Sequence, residues 1–388
     1  MALDATGACH PLPDSQDSNL SLAIPSTDEL EVNSRLTFIE WGDALTLPEY
    51  LEESKILTKV PLAENYGMVS WILTDKDKPL NQRPILASCE TFRKRAFVTN
   101  QNGQVSESII YGIASVFVNS SHRYMGYGTR LMHELGSVLS EWHMGPLRSV
   151  GSILYSDIGK DYYTKRGWSA SPVNNHVELD PISCNVPPHV HLLAKEDVSQ
   201  LCKDDEAIAR KSLVNSSSRK TRMMIVPDAD HMQWHISKEE FACQKLFGKV
   251  PRAKGALAGD YKHSSRIWAV WVHRYYGHPS SCPENNTLYI LRFVIENQDP
   301  SQSQIKMQAE CVREVLQTAQ AEAAEWGLQS VKLWNPTALA LDLLERSGLE
   351  YRQVEREDDS IASLKWFEND SSADAELEWV ACEKYAWV

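Results

Sequence analysis

Arg123-Tyr124-Met125-Gly126-Tyr127-Gly128 is the part of this sequence best suited to hold a charged ligand. An apolar strand, Val116-Phe117-Val118, runs into it. An amphipathic helix from about Gly128 to Trp142 follows, with Leu131, Leu135, Val138 and Leu139 on one face. Glycine permits positive φ and lets a ligand approach the backbone closely. The first amides of a helix have no intrahelical acceptor, and with the helix dipole they make an anion site. Arg123 and Arg130 would add charge-assisted donors at the two ends of the turn, and Thr129 lies between them. A pyrophosphate suits such a cradle. A dinucleotide-binding loop would need a third glycine, where Leu131 stands, and a Walker loop would need Gly-Lys-Ser/Thr, which is missing.

The elements around the loop follow from hydrophobic period and turn chemistry. Leu20 to Ile24 alternates as a strand, and Ser26-Thr27-Asp28-Glu29 offers a helix N-cap. A short helix is expected over Pro48 to Ser54. Met68 to Thr74, Ile85 to Val98 and Ser108 to Val118 read as an antiparallel meander, with a turn at Asn100 to Gly103. After the loop and its helix come a strand (Val150 to Tyr155), a helix (Gly159 to Lys165) and a return to the sheet over Trp168 to Leu179.

Asp180-Pro181 to Pro187-Pro188 reads as a linker. Beyond it the order recurs. Strands at Ile267 to Val272 and Leu288 to Ile295 precede a long helix, Gln304 to Trp326. A strand (Ser330 to Trp334), a helix ending at Gly348 and a final hairpin from Tyr351 to Phe367 follow. The second copy has Asn297-Gln298-Asp299-Pro300 where the first has its glycines. The expected fold class is α+β with mixed sheets: a tail at 1–18, a ligand-binding domain at 19–183, and a related, degenerate domain at 184–388.

An RxxGxG loop after a meander, followed by one helix, one strand and Asp161-Tyr162-Tyr163-Thr164-Lys165-Arg166-Gly167-Trp168, resembles the GNAT acetyltransferase superfamily, whose second motif reads FYxKxGF. Tyr155-Ser156-Asp157-Ile158-Gly159 with the Tyr-Tyr pair is similar to fungal lysine N-acyltransferases within it. The resemblance covers about residues 20–180. It implies acetyl-CoA as cosubstrate, with the pyrophosphate on residues 123–130 and the pantetheine arm along Val116, Phe117 and Val118. It implies transfer of acetyl to a primary amine, with free L-lysine as favoured acceptor in lysine degradation, and a polyamine, a protein or mere acyl-CoA binding as the other readings. It also implies a general acid at Tyr163, four residues before Gly167, because a phenol can protonate the leaving thiolate. Tyr162 is the alternative. The attacking amine must be neutral, so a base is needed. Glu90 is the first candidate and Asp157 the second. Two-domain relatives that transfer myristoyl groups use a terminal carboxylate, which would put Val388 in that role.

Each of these residues has a plainer reading. Glu90 could pair with Arg93 or Arg95 on the surface, Asp157 could cap the helix at Gly159, and Arg93-Lys94-Arg95 reads as a solvated edge. His122 reads as a loop histidine. Arg219 to Arg222 reads either as an exposed turn or as a contact for an acidic substrate group, and Trp268, Trp271 and Trp334 as possible pocket walls.

The composition narrows the class. The net charge is −13 over 388 residues, which argues against nucleic acid as a partner. The eight cysteines lack CxxC or zinc spacing, so reduced thiols and no metal are expected. The absence of a signal-like start and of a long apolar run suggests a cytoplasmic protein with no membrane partner, monomeric or homodimeric. The last ten residues are apolar enough to dock as a strand or fill a groove.

Overall fold

The protein is described here from a computed structural model, which covers residues 2–3, 9–10, 12–100, 102–142, 145–214, 220–281, 284–367 and 377–387. A two-residue ribbon, β1 (Ala2–Leu3) with β2 (Cys9–His10), precedes β3 (Leu20–Ala23). Helices α1 (Thr27–Trp41) and α2 (Leu47–Leu57) each open on a capping box, Ser26 with Glu29 and Thr46 with Glu49. The meander is β4 (Met68–Asp75), β5 (Ala87–Thr99) and β6 (Val105–Phe117). Then come α3 (Tyr127–Glu141), β7 (Ser149–Ser156), α4 (Asp161–Thr164), β8 (Ser169–Ala170) and β9 (Asn175–Leu179). The second half opens with β10 (His191–Leu193), α5 (Lys195–Val214), β11 (Thr221–Ile225) and α6 (Ala229–Phe247). It continues with β12 (Gly255–Ala258), β13 (Ile267–Arg274), β14 (Thr287–Ile295), α7 (Gln302–Glu325), β15 (Ser330–Trp334) and α8 (Ala338–Ser347). It ends with β16 (Arg352–Glu355), β17 (Ile361–Trp366) and β18 (Leu377–Trp379).

Two mixed sheets carry the architecture, and the chain crosses between them more than once. The first runs β18-β11-β5-β6-β7-β17-β8, with β4 on β5 and β3 on β4. The second runs β10-β12-β13-β14-β15-β9-β16. In each, the long helix leads back to a parallel strand: α3 joins β6 to β7, and α7 joins β14 to β15. Helix α3 buries Leu131, Met132, Leu135 and Leu139 against the first sheet. Helix α7 buries Val312, Val315, Leu316 and Ala319 against the second. Each such side chain contributes about 1.5–3 kcal/mol by leaving water.

Three expectations are revised. Trp168 to Leu179 does not simply continue the first sheet, because β9 inserts between β15 and β16 of the second. Tyr351 to Phe367 is not a hairpin: β16 pairs with β9, whereas β17 pairs with β7 and β8. Arg93-Lys94-Arg95 is not a solvated edge, because β5 is interior to the sheet. Lys94 there is fully buried and Arg95 binds Glu107 and Glu206.

Residues 12–18, expected in a loose tail, lie against α3. The Tyr127 hydroxyl donates to Pro13 O (2.5 Å), and Arg130 donates to the carbonyls of Ser15 and Leu20 (3.3 and 3.2 Å). The apolar C-terminal segment docks as expected: β18 runs parallel to β11, and Tyr385 and Ala386 are fully buried between the sheets.

The exchanged strands make the two halves interdependent. A fragment ending at Pro181 would expose both the β7 edge that β17 covers and the β5 edge that β11 covers. That fragment is expected to show no cooperative thermal transition by circular dichroism, in contrast to the full chain.

Candidate active site

The geometry begins with an irregularity in β6. Along β5 and β6 the register runs from Glu90↔Ala114 to Ser88↔Phe117, so β6 carries one extra residue. Ser115 takes it up in a left-handed conformation, φ +52°. On the other side, β6 stays paired with β7 only as far as Ile113↔Leu154. Beyond that point Ala114 to Phe117 part from Tyr155 and Ser156, and a slot opens between two parallel strands. Phe117 packs its ring on Trp41, while Val116 and Val118 lie half-buried under α3. Their backbone is left facing the slot.

The loop after β6 delivers α3 to the end of that slot. Tyr124 (φ +67°) and Met125 are exposed, and Gly126 is the N-cap of α3 at φ +89° with no side-chain cap. The amides of Tyr127, Gly128 and Thr129 have no acceptor among the described residues. A Cβ on Gly128 would meet the Tyr162 hydroxyl at 2.7 Å and Val118 Cγ2 at 3.3 Å, so only glycine lets α4 and α3 approach this closely. An open helix N-terminus beside two parting strands fits a pyrophosphate and its pantetheine arm.

The two arginines expected to bracket that site are otherwise engaged. Arg123 binds Glu40 (2.6 Å) and Val118 O (3.2 Å), which closes the loop onto α1. Arg130 binds Glu134 (2.6 Å) as well as the N-terminal carbonyls. Arg166, which the sequence reading passed over, reaches the helix start instead. Its Nη2 lies 2.5 Å from Thr129 Oγ1, and its guanidinium stacks on the Tyr162 ring at 3.6 Å. Its place directly before Gly167 was the available signal. His122 is half-buried with its ring edge-on to Tyr127.

The proton-handling candidates flank the slot. Tyr163 is buried in the core beneath α3, and its hydroxyl has no hydrogen-bond partner among the described residues. Burial pushes its phenol well up, so the proton stays on. The Tyr162 ring meets it edge-on at 4.9 Å, and the Tyr162 hydroxyl points toward Gly128. Glu90 accepts a hydrogen bond from Ser115 (2.9 Å), not from Arg93 or Arg95. Burial raises its pKa against the opposing pull of Ser115 and Lys238. Asp157 does not cap α4. It accepts from the Ser360 amide (2.9 Å), and burial together with the neighbouring Asp359 carboxyl pushes it up to about 6. Ser115, Lys238, Asp359 and Ser360 are remote in sequence from the residues they tune, so no local pattern announced them.

On the second sheet lies a pocket walled by α2, α6, β13, β14 and the last residues, among them Asp43, Glu53, Lys238, Arg274, Tyr276, Tyr289, Lys384 and Trp387. Lys238, which lines this pocket and pairs with Glu53, also draws the Glu90 pKa down. Trp268 and Trp271 do not wall it. They are fully buried in the sheet core, whereas Trp334 receives the Lys384 ammonium on its ring face at 4.2 Å. Arg222 is held by Glu378 (3.0 Å). Arg219, Val388 and Cys282 fall outside the described residues, as does the side chain of Cys9. Cys89, Cys202, Cys243, Cys311 and Cys382 are buried and Cys184 is exposed. Among the described residues no cluster of three or more potential ligands could hold a metal ion, and no helix is long and apolar enough to cross a membrane.

This arrangement has known counterparts. Residues 176–388 match the family described as the LYC1 GNAT-like C-terminal domain, which is more than half of the chain. The chain belongs to that GNAT family. A lysine acetyltransferase of Yarrowia lipolytica is 27% identical over 297 residues, 65% of this chain and 72% of that protein. A probable N-acyltransferase of Enterococcus faecalis V583 superposes with a TM-score of 0.52 at 10% identity, over 90% of this chain and 73% of its own. N-myristoyltransferase of Saccharomyces cerevisiae, solved with myristoyl-CoA bound, gives 0.51 at 9% identity over 92% and 81%. These two likenesses show the fold, a GNAT acyltransferase fold built on two sheets. The activity class, a GNAT-type acetyltransferase, rests on the family match and the sequence relative.

The Glu90 environment is testable without turnover. In 13C NMR titrations the Glu90 carboxyl is expected to titrate above the ordinary 4.5. In Ser115→Ala it is expected to move further up, because the hydroxyl bond favours the charged form.

Proposed function

We propose that this GNAT acetyltransferase moves the acetyl group of acetyl-CoA to the ε-amine of free L-lysine. The observation that carries this reading is the placement of Glu90. A carboxyl of raised pKa sits beside the Ser115 bulge, where β6 and β7 part, and Lys238, which draws that pKa down, lines the pocket on the second sheet. The relative named for lysine acetylation points the same way.

In this reading the amides of Tyr127 to Thr129 hold the pyrophosphate, with Arg166 and Thr129 at its side. The freed backbone of Val116 to Val118 takes the pantetheine amides. The acceptor enters the pocket as an ammonium. Glu90, directly or through water, removes a proton, and the neutral amine attacks the thioester carbonyl. The N–C bond forms as the C–S bond breaks. The thiolate receives its proton from Tyr163, whose buried phenol holds it at neutral pH, and the second proton of the acylated nitrogen passes to the phenolate, which leaves a neutral amide, CoA thiol and the phenol restored. Residues 19–183 supply the donor side, and residues 184–388 cover the acceptor and supply most of its pocket.

Purified protein is expected to release CoA from acetyl-CoA with L-lysine, detected as free thiol, with N6-acetyllysine found by mass spectrometry. Turnover with polyamines or histone peptides but not with lysine would remove the acceptor assignment alone. Tyr163→Phe is expected to lower kcat by about 10²-fold, the usual scale of a lost general acid, with little change in acetyl-CoA affinity by calorimetry. Gly126→Asp would place a charged side chain at an αL position and against Ser15, 2.5 Å from the added Cβ, at the start of α3, and is expected to abolish that affinity.

The pH dependence follows from Glu90. The base works when ionised, and its raised pKa shifts the onset of activity to higher pH. So kcat/KM is expected to rise with pH through a value above the ordinary carboxylate range, and Glu90→Gln is expected to remove that limb.

A further inference from the structure

The charges around the pocket on the second sheet do not balance. Each carboxylate that lines it already has a cation. Asp43 pairs with Arg274 (2.6 Å), Glu53 with Lys238 (2.7 Å), and Glu239 with His273 and Lys254 (both 2.5 Å). Lys384 is the exception. It is 4% exposed, lines the pocket, and has no carboxylate within ion-pair distance among the described residues. Asp157 and Asp359 act on it only from farther away.

What surrounds Lys384 instead is aromatic. Its Nζ lies 3.6 Å from the Trp387 ring centroid, 4.2 Å from Trp334 and 4.5 Å from Tyr289. Three rings fix the position of the ammonium and offer it only weak cation–π compensation. Arg274, lining the same pocket, adds to the mismatch. Its Nε is buried without a partner, and its charge, after burial itself, is the strongest influence pushing the Lys384 pKa down. The Tyr276 and Tyr289 hydroxyls, 3.1 Å apart, lie in the same wall. Two cations, one unpaired and one with a free donor, converge with two phenols on one small volume.

We propose that Lys384 and Arg274 form the subsite for the acceptor's carboxylate, with the Tyr276–Tyr289 hydroxyl pair beside it, and that this subsite restricts the enzyme to amino acids with a free α-carboxylate. The inference rests on the reading of this pocket as the acceptor site. An anion there supplies the charge that the walls lack, and it restores an ordinary ionisation to Lys384. In this reading the reacting amine lies with Lys238 and Glu53, and the carboxylate lies with Lys384 and Arg274; all four side chains line the same pocket. A polyamine would bring a second ammonium to two cations. A lysine within a peptide would bring a neutral amide that neither cation could ion-pair.

The test compares L-lysine with L-lysinamide, which keeps the α-ammonium and side chain and replaces the carboxylate by an isosteric neutral amide. Wild type is expected to favour lysine by about a hundredfold in kcat/KM, the scale on which a site built for a charged group rejects its neutral analogue. In Lys384→Met, which keeps an apolar chain in the aromatic cage, that ratio is expected to collapse to within about threefold, mainly through KM for lysine. Arg274→Gln is expected to move the ratio in the same direction, so the outcome does not hang on the folding of one variant. A ratio is read within a single preparation and is insensitive to partial loss of folded protein. If wild type uses lysine and lysinamide equally, or if Lys384→Met lowers both alike as loss of a general base or of a structural residue would, the carboxylate subsite is overturned and lysine acetylation stands. Turnover of neither compound overturns both.

Discussion

The separation of β6 from β7 beyond Ile113 and Leu154 is the constraint on which the rest of the site depends. Two neighbouring parallel strands do not part without compensation, because each leaves backbone donors and acceptors unpaired. Here both strands find other restraints. The extra residue at Ser115 twists β6 away while keeping it on β5 through Ser88↔Phe117. Strand β7 is held on its far side by β17 along its whole remaining length, Gly151↔Trp366 to Ser156↔Ile361. The slot therefore requires a strand contributed from near the other end of the chain. The same Ser115 that makes the bulge donates its hydroxyl to Glu90. One local distortion thus opens the slot between β6 and β7 and sets the environment of the carboxyl beside it.

The two long helices open differently in the two halves. Helix α7 opens on Ser301, whose amide and hydroxyl both donate to the Gln304 side chain (2.9 Å each), so its N-terminus is folded over by its own side chains. Helix α3 opens on Gly126, which has no side chain to cap with, and its first amides stay open. The difference is two residue choices at equivalent places in similar frameworks. In the second sheet the β13–β14 ladder is long and the residues are almost wholly buried. That half retains the scaffold as a wall and contributes side chains in place of a backbone cradle.

Much of the first half was legible because its signals are local. The meander, the glycine loop, α3 and the Tyr163 helix are each specified by residues within a few positions of one another, and the structure places them in that order. The strand exchange was not legible. β9 and β17 have ordinary alternating patterns, and nothing in Asn175 to Leu179 or Ile361 to Trp366 says which sheet they join. That choice is made by long-range pairing. Charge states were hidden for the same reason. Arg93-Lys94-Arg95 has the composition of a solvated edge, yet Lys94 is buried because β11, more than a hundred residues on, covers that end of β5. Glu90 was identifiable as a carboxylate on the right strand, but its partner, Ser115, depends on the register slip. The arginines show the converse error. Arg123 and Arg130 fitted a phosphate pattern, and the fold uses them to fasten α1 and the N-terminal segment around the loop.

Strand exchange also explains how buried charge can be tolerated at the centre. An isolated ammonium or carboxylate between two sheets would cost several kcal/mol after relaxation. The fold meets this by bringing groups from distant segments together. Arg292 on β14 is bound by Asp205 of α5 and Glu383 of the C-terminal segment, and Asp157 after β7 shares its environment with Asp359 before β17. Such pairs need backbone from both ends of the chain held rigidly, which the β7–β17 and β11–β18 ladders supply. Two buried ammoniums have no carboxylate at ion-pair distance among the described residues, Lys94 within the first sheet and Lys384 beside Glu383 on the C-terminal segment. Lys94 shows that the fold can hold such a group without a counter-charge. Lys384 differs from it in lining the pocket, where in the proposed reading the acceptor's carboxylate supplies the missing charge.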